Sequence, residues 1–306
     1  MASRQSRNKN KKWKRFITFA IIALLGIVLV SCEWDQIISE FSQGESSSIS
    51  DNSESEASEQ TSSSSSMSMS SESEATSEEI RESELARLRD QLVDTPDALS
   101  SDWNLVLVNR FNQLEADIPF EQQFIEDGFI VDARIATELE SMLADGRGQG
   151  LEFIVVSTYR TLSQQQANYD SVYQSYLNKG NDHDEAVKLT EEYIALPNAS
   201  EHSTGLAIDL TEPDLYQQGE SGLVEAFDQT EEGQWLYENA ADYGFVLRYP
   251  KGKEAITIIN YESWHFRYVG VENAQYMTEH ELTLEEYVEL LENNEAIRAE
   301  IEASGE

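Results

Sequence analysis

The chain has 306 residues, with 21 Lys and Arg against 58 Asp and Glu, and a formal charge of −37. That sign repels phosphate backbones and offers no counterion-release gain, so the composition argues for no nucleic acid partner. Cys32 is the sole cysteine, which leaves no intramolecular disulfide and no thiolate metal site.

Basic residues gather at the start, where Arg4, Arg7, Lys9, Lys11, Lys12, Lys14 and Arg15 precede an almost wholly apolar run over 16–30. The run is short for a bilayer span of about 20 residues and suits a signal-peptide core of roughly 7 to 15. It closes on Leu29-Val30-Ser31-Cys32, which resembles the lipobox of bacterial lipoproteins and implies acylation at Cys32. Residues 1–32 are therefore expected to be a signal peptide with lipobox, or alternatively an uncleaved membrane anchor. Both readings place the rest on the extracellular face of the cell membrane. Residues 33–98 should form a disordered stalk rich in Ser and Glu, because such a segment buries too little apolar surface to offset its ordering entropy. Within it, Ile80, Leu85, Leu88 and Leu92 recur at near-helical spacing and predict a short helix at 78–92.

The head is expected over 99–281. Trp103 to Val108 reads as a strand, Val131 to Leu143 as a helix with Ile135, Leu139 and Leu143 on one face, and Leu151 to Val156 as a β-branched central strand. Helices follow over Ser163 to Leu177 and Asp184 to Ile194, then over Glu231 to Tyr243 with Gly244 as its stop. Phe245–Tyr249, Ile256–Ile259 and Phe266–Val269 read as three short strands, the first two forming a hairpin. Strands grouped late, with helices early and in the middle, predict an α+β fold. Its small antiparallel sheet carries flanking helices, with the functional site expected in a cleft over the sheet. A surface helix and acidic tail complete 282–306.

A catalytic zinc needs three ligands from His and carboxylate, and an unbound carboxylate near its water. His202, Asp209, His265 and Glu262 supply that set. Asp209 ends the apolar run Leu206-Ala207-Ile208, where an unpaired carboxylate is costly to bury; a cation removes the cost, and so would an Arg partner. Glu262 and His265 are three apart, which puts them on opposite faces of a regular strand. Both can address one ion only if the chain bends or bulges at Ser263-Trp264. His183 and His280 read as ordinary exposed histidines.

Ser157-Thr158-Tyr159-Arg160-Thr161, then Gln165, then Ser200 through Asp209, then Glu262-Ser263-Trp264-His265-Phe266-Arg267-Tyr268-Val269-Gly270 together resemble the ordered motifs of VanY-type D-alanyl-D-alanine carboxypeptidases. The resemblance implies one Zn2+ on His202, Asp209 and His265, with Glu262 as general base on a zinc-bound water. It also implies Arg160 as the anchor of the substrate's terminal carboxylate, assisted by Ser157, Gln165 and Ser200. The implied substrate is a peptidoglycan stem peptide losing its terminal D-alanine. Alternatives are an L,D-carboxypeptidase acting on tetrapeptide stems and a non-catalytic peptidoglycan-binding module. The same two-His, one-carboxylate set can also hold iron. Thr158, Asn198 and Ser203 depart from common family residues and bear on the shape of the substrate pocket.

Overall fold

Residues 206–211 read Leu-Ala-Ile-Asp-Leu-Thr and residues 264–268 read Trp-His-Phe-Arg-Tyr, so apolar side chains recur at every second position in both. An extended chain sends alternate side chains to opposite faces, and each stretch therefore makes one apolar face and one face free for chemistry. The computed structural model describes residues 76–305. The leader, Cys32 and the part of the expected stalk up to residue 75 lie outside those residues.

Helix α1 (Ser77–Gln91) begins at a capping box between Thr76 and Glu79 and buries Leu85 and Leu88. A hairpin of β1 (Gln122–Phe124) and β2 (Ile130–Asp132) leads into α2 (Ala136–Gly148). Next come β3 (Ile154–Ser157), α3 (Leu162–Asn178), α4 (His183–Glu191), β4 (Ala207–Thr211) and the short α5 (Pro213–Gln217). The chain continues through α6 (Glu231–Asn239), β5 (Phe245–Tyr249), the one-turn α7 (Glu254–Thr257) and β6 (Glu262–Tyr268). It closes with α8 (Val271–His280) and α9 (Leu284–Gly305).

Four strands form one sheet in the order β3-β4-β6-β5, every pair antiparallel. This is the expected α+β architecture. Ile208, Leu210, Phe245, Phe266 and Tyr268 join Leu139, Met142 and Leu143 of α2 and Trp235 and Leu236 of α6 in the main core. Full burial of each such side chain contributes roughly 1.5–3 kcal/mol. A second cluster joins Val246 and Val269 to Met277 of α8 and Tyr287, Val288 and Leu291 of α9.

Several local expectations differ from what folds. Trp103–Val108 is an irregular loop, not a strand, because the Asn104 and Val106 carbonyls accept hydrogen bonds from Arg267 Nη2 and are taken from any ladder. Val131 belongs to β2, and the helix expected from it starts at Ala136. The β-branched run at 151–156 yields β3 at an edge of the sheet, with Val155 buried and Ile154 and Val156 only partly so. Ile256–Ile259 is no strand: α7 occupies its first half, and Ile258 turns left-handed at φ 60° to close that turn. β5 accordingly pairs with β6 rather than with a neighbouring hairpin arm. Helix α9 is more than a surface element, since Tyr287 and Leu291 are buried and the Tyr287 hydroxyl donates to Asn273 Oδ1 at 2.7 Å.

Candidate active site

Sheet register sets the centre of the site. Ser157, Asp209 and His265 stand directly opposite one another across β3, β4 and β6, so three side chains from distant parts of the chain share one row. Along β5 and β6, Leu247 pairs with Phe266 while Tyr249 pairs with Glu262, which gives β6 two surplus residues in that interval. This irregularity is the bulge that the Glu262–His265 spacing requires. It brings Glu262 Oε2 to 3.5 Å from His265 Nδ1.

His202 arrives from a 3₁₀ turn, Glu201–Thr204, that closes at Gly205 in the left-handed conformation (φ 74°). A Cβ at Gly205 would lie 2.7 Å from Phe120 Cζ and 3.1 Å from the Asp132 backbone nitrogen. Gly205→Ala is therefore expected to cost at least about 1–2 kcal/mol from the backbone conformation alone, measured as a lowered urea midpoint at unchanged m-value. The turn also aims the ring: His202 Nδ1 sits 2.7 Å from the Thr158 carbonyl oxygen, which fixes Nδ1 as the protonated nitrogen and leaves Nε2 for the site.

The result is a buried cluster. His202 Nε2 lies 3.2 Å from Asp209 Oδ2, and His265 Nδ1 lies 3.1 Å from Asp209 Oδ1. One ligand atom from each of the three falls within 4.8 Å of the others, so small side-chain shifts bring them to the separation of about 3.3–3.6 Å that bonds of about 2.0–2.2 Å to a tetrahedral ion require. Asp209 Oδ1 is buried without a hydrogen-bond partner, as a carboxylate oxygen awaiting a cation would be. The donor set of two imidazoles and one carboxylate, with a further carboxylate alongside, fits zinc. Asp209 meets histidines, whereas the buried Arg248 and Arg267 both pair with Glu201; the arginine alternative for Asp209 is not what the fold adopts.

Burial pushes the Glu262 carboxyl up to about 8; Asp209 and Glu201 add to the rise, and His265 and Arg160 oppose it. Burial alone would also raise Asp209, but the two histidines overcome it and hold that carboxyl well below the usual range.

Around this centre lies a cavity of about 570 Å³. All eight site residues expected within the head line it: Ser157, Arg160, Gln165, Ser200, His202, Asp209, Glu262 and His265. Arg160 Nη1 donates to Ser157 Oγ at 2.8 Å, while its buried Nε has no partner. Gln165 donates to the Ala195 carbonyl at 2.9 Å and keeps an unpartnered Oε1. Trp264 is buried, joins the main core and lines the cavity beside Tyr193. His183 and His280 are exposed and stand apart from the cavity.

A match to the family model described as VanY, D-alanyl-D-alanine carboxypeptidase, covers residues 129–271. A D-alanyl-D-alanine carboxypeptidase of Enterococcus faecalis strain V583 is 36% identical over 187 residues, 61% of this chain and 66% of that protein. The solved structure of VanYB in complex with D-alanine-D-alanine superposes with a TM-score of 0.55 at 35% identity, covering 61% of this chain and 98% of that one. The chain belongs to the VanY family. Another family member, a glutamate-to-alanine variant of VanY from the VanB-type resistance cassette in complex with Zn(II), matches with a TM-score of 0.54 at 35% identity, covering 61% of this chain and 99% of that one. The chain spans between 52% and 66% of the length of the first curated relatives that it matches.

Glu201, Arg248, Arg267 and Tyr249 are the part of this VanY-family site that sequence reasoning missed. Glu201, Arg248 and Arg267 are buried together, with Arg248 Nε and Arg267 Nη1 at 2.7 and 2.8 Å from Glu201 Oε1. Tyr249 is buried against His265, ring centroids 4.8 Å apart. A signal existed: arginines inside the strand-like runs Phe245-Val246-Leu247-Arg248-Tyr249 and Phe266-Arg267-Tyr268 demand a buried carboxylate.

Proposed function

We propose that this chain is a zinc-dependent exopeptidase that removes the C-terminal D-alanine from peptidoglycan stem peptides. One observation carries the reading: Arg160, half-buried and with a buried, unpartnered Nε, faces the same cavity as the His202–Asp209–His265 cluster and Glu262. Family membership and the D-alanine-D-alanine and Zn(II) complexes of relatives support it.

His202 Nε2, Asp209 and His265 Nδ1 would hold one zinc ion, which when bound supplies Lewis acidity and an acidified water near neutral pH. Glu262 takes the proton of the attacking water and returns it to the leaving amine. Burial favours the protonated form of this carboxyl and the proposed zinc would favour the carboxylate, so the group is placed to take a proton and to give it back. Arg160 meets the terminal carboxylate of the peptide in a planar fork, which an internal peptide bond cannot match. Ser157 steadies that guanidinium from the side, and Gln165 Oε1 and Ser200 add polar contacts along the cavity wall. Residues 1–32 would tether the head to the outer face of the membrane, through a lipid on Cys32 or through the apolar run itself.

Defined stem peptides test the assignment. D-Alanine should appear from a pentapeptide stem, stop after chelation and resume on adding back zinc. Release from a tetrapeptide stem alone would make the chain an L,D-carboxypeptidase, and no release from either would leave a binding module.

A further inference from the structure

The two imidazoles of the cluster are held in different ways. His202 is set by a backbone carbonyl, which no substitution removes. His265 presents Nδ1 to Asp209, and its Nε2 is buried without a hydrogen-bond partner. That nitrogen faces Glu201 Oε2 at 3.7 Å, which is buried and unpartnered as well. Both arginines that neutralise Glu201 use its other oxygen, Oε1. Oε2 is thus spare, and it faces the imidazole Nε2.

The arginines lead further out. Arg267 spends its remaining donors on the carbonyls of Tyr268, Asn104 and Val106. Arg248 forks onto Glu285 of α9, Nη1 to Oε2 at 2.8 Å and Nη2 to Oε1 at 2.6 Å. Two guanidiniums and two carboxylates balance in a dry setting, so loss of either carboxylate leaves a net positive charge that draws on the one remaining. Glu285 lies fourteen residues past the end of the family-matched stretch, which stops at 271.

We propose that Glu201 is a positioning residue that orients the His265 imidazole for metal binding, and that Glu285 of the C-terminal helix holds Glu201 in place through Arg248. The proposal rests on the reading of His265 as a zinc ligand. A carboxylate behind a ligating imidazole fixes its tautomer and raises its donor strength, and its removal typically costs 10–100-fold in metal affinity or activity.

The test uses the whole chain and its Glu201→Gln, Glu285→Gln and Asn294→Ala variants. Asn294 ties α9 to the Val93 backbone in both directions, at 3.0 and 2.8 Å, without touching the charge network. Zinc affinity is read by competition with a chromophoric chelator, and ligand geometry by the visible spectrum of the cobalt-substituted protein. Glu201→Gln should weaken zinc about 10–100-fold and alter the cobalt spectrum, with kcat falling more than KM rises. Glu285→Gln should shift both in the same direction by less. Asn294→Ala should lower the melting temperature and leave both unchanged. Parental affinity and spectrum in a folded Glu201→Gln would overturn the proposal; if that variant does not fold, parental values in Glu285→Gln would do so. A change in Asn294→Ala equal to that in Glu285→Gln would also overturn it, by assigning the effect to a loosened helix. His265→Ala separates the premise: undiminished zinc affinity there refutes the ligand reading itself.

Discussion

Glu262→Gln is expected to lower kcat for D-alanine release by about 10³-fold, within the 10²–10⁴ typical of a lost general base, while zinc stays bound at full stoichiometry. The amide is isosteric, so the bulged end of β6 and its pairing with Tyr249 have no reason to move. Stability of the metal-free protein should not fall, because burial disfavours the charged form of this carboxyl and a neutral amide escapes that cost. The variant therefore reads three ways at once: turnover collapses, metal content holds, and the melting temperature of the metal-free protein is equal or higher. Retained turnover would remove Glu262 from the chemistry. Lost zinc would instead make it a ligand.

Arg160→Met is expected to reduce kcat/KM for a peptide with a free C-terminus by about 10²–10³-fold, the range of a buried charge pair worth 2–5 kcal/mol. The same peptide with its C-terminus amidated should be a poor substrate for parent and variant alike, so the preference for the acid collapses. Arg160→Lys should recover little, since an ammonium keeps the charge and loses the fork. Ser157 Oγ would then lack the 2.8 Å donor that it has in the parent. An undiminished preference for the free acid in Arg160→Met would place carboxylate recognition elsewhere in the cavity.

Much of this was legible because the decisive patterns are local. The alternation from Leu206 to Thr211 specifies both a strand and the face on which Asp209 sits. Thr161 and Gln164 form a capping box that starts α3 one residue from its expected beginning, and Gly244 in the left-handed conformation closes the turn after α6. The three-residue spacing of Glu262 and His265 even required the bulge. What stayed hidden depends on partners far along the chain. Trp103–Val108 has strand composition, but Arg267 claims its carbonyls from more than 160 residues away. Ile256–Ile259 has β-branched composition, yet Ile256 and Thr257 end α7 and Ile258 turns left-handed behind them. Glu201 and Glu285 look like two of the chain's many acids, and only the fold shows that Arg248 lies between them.

The two surplus residues of β6 make that strand sensitive to deletion in a way that it is not to substitution. Losing one of them would advance the chain by a step of about 3.3 Å and turn each side chain beyond the cut to the opposite surface. No compensating mutation of Ser263 or Trp264 could restore the 3.5 Å approach of Glu262 to His265. Between those two positions the site depends on the number of residues as well as on their identity.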